Sequence, residues 1–253
     1  AVIRMNSTDY ITFDGIDVAA TQSTIEYGYF TFKTATNGCK YVTIKNCNIT
    51  MTKGAYVIGI NISNGPTSTS SATGVTVTTE PGANNNIIIT GNTIQNVHAG
   101  IYLRGATGYY DYNYTIGASG AGNTITNFGG GTASTTYGVY FIYVSTAAVD
   151  YNTINNASGG SDHASTLYGI FLSTVNGVIS ASNNSITLST SGTSAMHWIY
   201  NGNACTSENY SNNTFAAGGF TSTSTAYIIY SSNATNDKTI SGNQTSGAIN
   251  KTS

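Results

Sequence analysis

The sequence predicts an all-β chain wound as a parallel β-helix, a solenoid of about eight coils with a ladder of asparagines inside it. Three observations predict it. A short phrase ending in Asn-Thr-Ile, or a near variant of it, returns about every thirty residues. A second apolar phrase, opening on Gly, returns out of step with the first. Helical periodicity is absent throughout.

The first series runs "ITFDGIDV" (11–18), "VTIKNCNI" (42–49), "IIITGNTI" (87–94), "GASGAGNTI" (117–125), "AAVDYNTI" (147–154), "ISASNNSI" (179–186), "SENYSNNTF" (207–215) and "TISGNQT" (239–245). The second runs "GYFTF" from Gly28, "GINI" from Gly59, "GIYL" from Gly100, "GVYF" from Gly138 and "GIFL" from Gly169, then "WIYN" from Trp198 and "YIIY" from Tyr227. Each repeat thus carries at least two short strands separated by turn-forming Gly, Asn and Ser. Propeller blades would need about forty residues and four strands each. Coils stacked so that each strand pairs with its equivalent above and below fit better, and equivalent positions then become columns.

One column holds Asn92, Asn123, Asn152, Asn184, Asn213 and Asn243, with Ile16 and Cys47 in that place in the first two coils. Backbone groups leave the strand pairing where a coil turns, and an Asn amide offers both a donor and an acceptor to replace it. Amides repeated at the strand spacing of about 4.8 Å can also bond one another. Replacing Asn152 by Leu is therefore expected to cost about 1–3 kcal/mol. Beside this column, Ile94, Ile125, Ile154, Ile186 and Phe215 are expected to point inward, while Thr93, Thr124, Thr153, Ser185 and Thr214 point outward.

The same alternation in the second series turns Ile101 and Leu103 inward and Tyr102 outward. At the same offset lie Phe30, Tyr140, Phe171 and Tyr200, an aromatic stripe suited to sugar stacking or protein contact. Cover by loops, or ring stacking that serves only the sheet, is the structural alternative. The segment "GYYDYNYT" places Tyr109, Tyr110, Tyr112 and Tyr114 on what reads as a loop, a second contact surface.

Both prolines, Pro66 and Pro81, fall in the long gap between the second and third phrases, so 63–86 reads as an inserted loop or hairpin on an otherwise single domain covering 1–253. Neither end shows a polar cap. A solenoid needs such caps, so the expectation is a segment of a longer chain or a unit that stacks on copies of itself.

The phrases "YITFDGIDV" and "YVTIKNCNI" and the recurring "GNTI…YGIF" units make the chain resemble the right-handed parallel β-helix repeat proteins of the pectin-lyase-like superfamily. The unit "NTINNASGGSDHASTLYGIFLST" is similar to repeats in very large secreted or surface proteins of Bacteroidota-type bacteria. The resemblance spans roughly residues 10–245. It implies a right-handed helix and, since superfamily members include polysaccharide lyases and hydrolases, raises an enzyme reading by analogy of fold alone.

The residues supply little for that reading. Charged residues are 7% of the chain. Only Arg4 and Arg104 could serve as an arginine base, and the nearest acid along the chain to Arg104 is Asp111. Hydrolysis of a glycosidic bond by acid chemistry needs two carboxylates flanking it. Asp14 and Asp150 share a column with Lys45 but lie several coils apart, and Asp14 beside Lys45 reads as an exposed ion pair. His98, His163 and His197 fall in loops or before strands without metal-ligand spacing, and Cys39, Cys47 and Cys205 form no Cys-x-x-Cys. Neither a metal nor a cofactor is expected.

A net charge of −2 leaves no basic stripe for phosphates, and no apolar run reaches bilayer length, so neither nucleic acid nor membrane insertion is expected. The reading is a noncatalytic, extracellular or cell-surface β-helical segment: a stalk, adhesin or filament component. Its expected partners are a polysaccharide, held by Tyr102, Tyr140, Phe171 and Tyr200, or another copy of itself. A carbohydrate-active enzyme using Arg104 and Asp111 is the alternative. Ice binding by the outward Thr column is weaker, because only one clear column is present.

Overall fold

The computed structural model describes all residues except 23, 66–73, 131–133, 157, 161, 221–224, 233–236, 248 and 250–253. The described strands form three parallel sheets of eight strands each, visited in turn, so that every third strand pairs with its equivalent. The first sheet contains Ile3–Asn6, Tyr27–Phe32, Ile58–Ile62, Ala99–Arg104, Thr136–Val144, Leu167–Val175, Met196–Asn201 and Ala226–Ser231. The second contains Thr12–Asp14, Thr43–Lys45, Asn85–Thr90, Tyr112–Ile116, Ala147–Val149, Val178–Ser180, Ser207–Ser211 and Asp237–Ser241. The third contains Val18–Ala19, Asn48–Thr50, Thr93–Val97, Thr124–Phe128, Thr153–Asn155, Ser185–Thr190, Thr214–Phe220 and Gln244–Thr245.

The chain is thus a parallel β-solenoid of eight layers, about seven full turns. Each turn carries three strands. The extra strand comes from the Asn-Thr-Ile phrase itself, which a sharp corner divides between the second and third sheets. Gly15, Asn46, Gly91, Tyr151, Asn183, Asn212 and Gly242 take left-handed backbone there, with φ between 56° and 69°. Left-handed backbone turns the strand direction abruptly, and it is the region that Gly and Asn tolerate best.

From the third layer onward, the residue after the corner is the ladder asparagine. Every rung repeats one pattern: the Oδ1 of Asn123 accepts from both the backbone N–H and the Nδ2 of Asn92, each at 3.0 Å. Asn152 does the same for Asn123, Asn184 for Asn152, Asn213 for Asn184 and Asn243 for Asn213, at 2.9–3.1 Å. The second Nδ2 hydrogen goes to a carbonyl leaving the second sheet, Ile44 for Asn92, Ile89 for Asn123 and Ile116 for Asn152, at 2.8–2.9 Å. Asn92, Asn123, Asn152, Asn184 and Asn213 are buried. Their amides are satisfied on both sides, which is what burial of a polar column requires.

Cys47 begins the ladder as expected. Its N–H donates to Asn92 Oδ1 at 3.0 Å, and its thiol points to Lys45 O at 3.1 Å and Phe13 O at 3.9 Å. Phe13 pairs with Ile44, so the thiol faces the acceptor that an amide would use one layer on.

The inner columns are aliphatic. Ile94, Ile125, Ile154 and Ile186 pair in register under Phe215, and none is more than 1% exposed. Ile60, Ile101, Val139, Ile170 and Ile199 form the matching column of the first sheet. Each fully buried side chain contributes about 1.5–3 kcal/mol. Thr93, Thr124, Thr153, Ser185 and Thr214 face out.

A glycine column opens the first sheet. A Cβ on Gly28, Gly59, Gly100, Gly138 or Gly169 would lie 2.5–2.8 Å from the carbonyl oxygen of the next layer. It would also press on the inward isoleucine of the third sheet, Ile154 in the case of Gly138. In the seventh layer Trp198 takes this place, buried, its indole N–H donating to Ala216 O at 2.9 Å.

The expected insertion at 63–86 joins the first-sheet strand Ile58–Ile62 to Asn85–Thr90, and its residues 66–73 lie outside the described ones. The described part returns along the second layer, with Thr78 N–H donating to Ala35 O and Gly38 N–H to Pro81 O, both at 2.9 Å. Lys45 and Asp14 pair at 3.2 Å on the surface. Among the described residues no helix is long and apolar enough to cross a membrane.

Candidate functional site

The outer face of the first sheet carries two aromatic columns. The expected one is present: Phe30, then Tyr102, Tyr140, Phe171 and Tyr200, continued by Tyr230. Ring centroids are 4.7 Å apart for Tyr102 and Tyr140, 5.3 Å for Tyr140 and Phe171, and 5.4 Å for Phe171 and Tyr200. A second column lies beside it, with Tyr137, Tyr168, His197 and Tyr227 in register and Tyr27 at its start. His197 lies within a strand rather than before one, stacked on Tyr227 at 5.3 Å.

Strict alternation would place Tyr137 and Tyr140 on opposite faces. The glycine column prevents this. Gly138 and Val139 both turn their inner side to the core, so the alternation slips by one and the two rings stack at 4.5 Å. The same slip stacks Tyr27 on Phe30 and Tyr168 on Phe171. The phrases "YGYF", "YGVY" and "YGIF" contain this signal, an aromatic on each side of Gly-x, which a reading that starts at Gly leaves out.

The columns are interrupted in layers three and four. There Ile58 and Ala99 occupy one column and Asn61 the other, between Tyr27 and Phe30 on one side and Tyr102 and Tyr137 on the other. The missing ring volume opens a notch of about 560 Å³, lined by Tyr27, Asn61, Ala99, Tyr102 and Tyr137 with Glu26 and Arg104 at its edge. That size is usual for a small-molecule site. Asn61 is 5% exposed and its Oδ1 has no hydrogen-bond partner. A buried acceptor left so costs about 1–3 kcal/mol unless something donates to it.

The rings of Tyr102, Tyr137, Tyr140, Tyr168 and His197 are uncharged at neutral pH. Burial pushes the Tyr102 hydroxyl up to about 12, and burial likewise raises Tyr137, Tyr140 and Tyr168. Burial pulls the His197 imidazole down to about 4. His98, also at the notch, is lowered first by burial, and its Nε2 lies 3.1 Å from Thr135 O.

Arg104 and Asp111 do not meet as a catalytic pair would. Arg104 faces outward with Tyr102, whereas Asp111 is fully buried, its Oδ1 2.8 Å from Lys33 Nζ. The expectation of a tyrosine loop at 108–115 needs correction. Tyr112–Ile116 is a strand of the second sheet, and Tyr114 is a core ring whose hydroxyl donates to Asp111 Oδ2 at 2.8 Å. Tyr109 stays exposed, and Tyr110 packs edge-on against Tyr143. Cys39, Cys47 and Cys205 are buried, Cys39 pushed up to about 11 by burial. No cluster of metal ligands occurs among the described residues.

A second depression of about 540 Å³, on the outer face of the second sheet, is floored by Ile88, Ala148 and Val178. Of the ionisable residues that line it, Tyr41 is exposed and Tyr114 turns its ring into the core. Compared with protein-family models, curated proteins and solved structures, the chain matches none.

Proposed function

We propose that this chain is a noncatalytic adhesive segment of an extracellular β-solenoid, and that it binds carbohydrate in the notch of its aromatic face. The observation that carries the reading is the gap at Ile58, Asn61 and Ala99 in an otherwise continuous double column of rings. A pyranose ring offers apolar C–H faces to Tyr27 and Tyr102 and hydroxyls to Glu26 and Arg104 at the edge of the notch. Most of the rings are partly exposed, so the stripe continues the site along the solenoid and suits an extended polymer more than a single sugar.

Low charge and a Ser, Thr and Asn-rich surface support an extracellular setting, and the repeats support kinship with the right-handed β-helices of the pectin-lyase-like group. The strands of the eighth layer each have one paired neighbour, an edge to which a further strand-bearing layer, including a copy of this chain, can add. The enzyme alternative at Arg104 and Asp111 lacks the geometry that would favour it.

The test is glycan-array binding by the wild type and by Ala99→Tyr, which restores a ring where the columns are broken. The wild type is expected to bind a polysaccharide, Ala99→Tyr to lose that binding with an unchanged thermal midpoint, and Tyr102→Ala to weaken it at least tenfold. Binding that survives the filled notch refutes the assignment.

A further inference from the structure

A polar cluster lies inside the corner between the first and second sheets, away from the notch. Lys33 is 1% exposed, and Asn84 and Asp111 are not exposed at all. They come from three successive layers: Lys33 follows the strand Tyr27–Phe32, Asn84 precedes Asn85–Thr90, and Asp111 precedes Tyr112–Ile116. Asp111 bridges the other two. Its Oδ1 accepts from Lys33 Nζ at 2.8 Å and from the Asn84 backbone N–H at 2.8 Å, while its Oδ2 accepts from Asn84 Nδ2 at 2.9 Å and from the Tyr114 hydroxyl at 2.8 Å. The Asn84 Oδ1 accepts from the Cys39 N–H at 2.8 Å.

Such an arrangement holds an amine, a carboxamide and a proton carrier together in a buried corner. Asp111 Oδ1 already accepts from Lys33 Nζ, so the carboxylate is placed to take a proton from the amine as the nitrogen attacks. An amine that has given up a proton is a nucleophile. The Cys39 N–H already points at the amide oxygen on which negative charge would collect during attack. Fixed placement of the reactants supplies the advantage of an intramolecular reaction.

From this geometry we propose that Lys33 and Asn84 join in an intramolecular isopeptide bond, with Asp111 carrying the protons. Lys33 Nζ gives one proton to Asp111 and attacks Asn84 Cγ, forming a C–N bond and an oxyanion held by Cys39 N–H. Asp111 passes that proton to Asn84 Nδ2 as the Cγ–Nδ2 bond breaks, and ammonia departs. The second proton lost by Nζ returns through Asp111 and leaves with the ammonia as ammonium. No oxidant or other reactant is needed, and the charge balances. Asp111 remains a carboxylate that accepts from the new amide N–H, the Asn84 N–H and the Tyr114 hydroxyl.

The bond would lock the second layer to the third across the insertion. Its function suits a solenoid, whose layers hold only their neighbours and can peel one at a time. The inference does not depend on carbohydrate binding.

The experiment is a mass measurement on the whole purified chain, denatured and reduced, followed by a tryptic map. The expected result is a mass one ammonia below that of the sequence, and a branched peptide joining residues 5–40 to 54–104 with no cleavage after Lys33. Cyclisation at Asn64-Gly65 would also release ammonia, so fragment ions that place the link on Lys33 and Asn84 are the deciding readout. Lys33→Arg and Asp111→Asn are expected to show the full mass and no branch. An unbranched wild type cleaved normally after Lys33 overturns the proposal. So does a mass one water lower with Lys33 joined to Asp111. A branch that persists in Asp111→Asn overturns the proton-carrier role. The wild-type map decides the bond itself even if neither variant folds.

Discussion

Asn152→Leu is the sharpest probe of the ladder. The substitution removes the acceptor of the Asn123 N–H at 3.0 Å and of one Asn123 Nδ2 hydrogen at 2.9 Å, and it removes the donor to Ile116 O at 2.8 Å. The Asn152 backbone N–H still reaches Asn184 Oδ1 at 2.9 Å, so the next rung keeps one of its bonds. Three buried groups lose their partners, each at about 1–3 kcal/mol, and relaxation with the added apolar contact leaves an expected cost of about 3–6 kcal/mol. That exceeds the 1–3 kcal/mol expected from the sequence, because the amide serves two layers at once. For a domain of this size the thermal midpoint should fall by roughly 6–20 °C. Asn123→Leu strands an equivalent set on Asn92 and Ile89. In the double variant the Asn123 side-chain hydrogen that would be orphaned no longer exists, so the two costs should fall short of additivity by about 1–3 kcal/mol. Chemical denaturation of the four proteins measures this. A single-variant cost below about 1 kcal/mol, or strict additivity, refutes the picture of bonded amides.

Other expectations follow from the same contacts. Gly138→Val puts a Cβ 2.6 Å from Gly169 O and from an Ile154 methyl, and should destabilise by about 2–4 kcal/mol in thermal unfolding. Burial holds His163 and His197 near 4, while an unfolded imidazole binds its proton at about 6.5. Stability from these rings is therefore complete above about pH 6.5 and is lost as pH falls toward 4, and His197→Phe should flatten that decline in the unfolding midpoint. Lys45→Ala removes an exposed partner of Asp14 and should leave the midpoint unchanged.

Much of the fold was legible because a solenoid writes the same letter once per turn. Asn92, Asn123, Asn152, Asn184, Asn213 and Asn243 announce a column, and Ile94, Ile125, Ile154 and Ile186 announce the core beneath it. The third strand of each turn was hidden at the corner: Tyr151 adopts φ 63° there, and nothing in a tyrosine signals left-handed backbone. The tyrosines of 109–114 read as a loop, since letters rich in Tyr and Asn do not reveal that Tyr114 turns inward to meet Asp111. One aromatic column was visible from alternation. The other required the slip at the glycines, a steric consequence of neighbouring layers rather than of the strand itself. The notch is harder still, because it is made by what Ile58, Asn61 and Ala99 lack. Asn84 lies next to Lys33 and Asp111 only through stacking across the insertion, a contact that spacing along the chain does not encode.

The central claim is that equivalent residues stand one above another, one layer at a time. Paired spin labels on the outward column test it directly, with one label fixed at Thr93 and the other placed in turn at Ser185, Thr214 and Gln244, which succeed one another in register. The label separation should rise by about 4.8 Å at each step, in three narrow distributions. Separations that fail to increase in that order, or that jump by unequal amounts, would contradict the stacking on which the ladder, the aromatic face and the Lys33 cluster all rest.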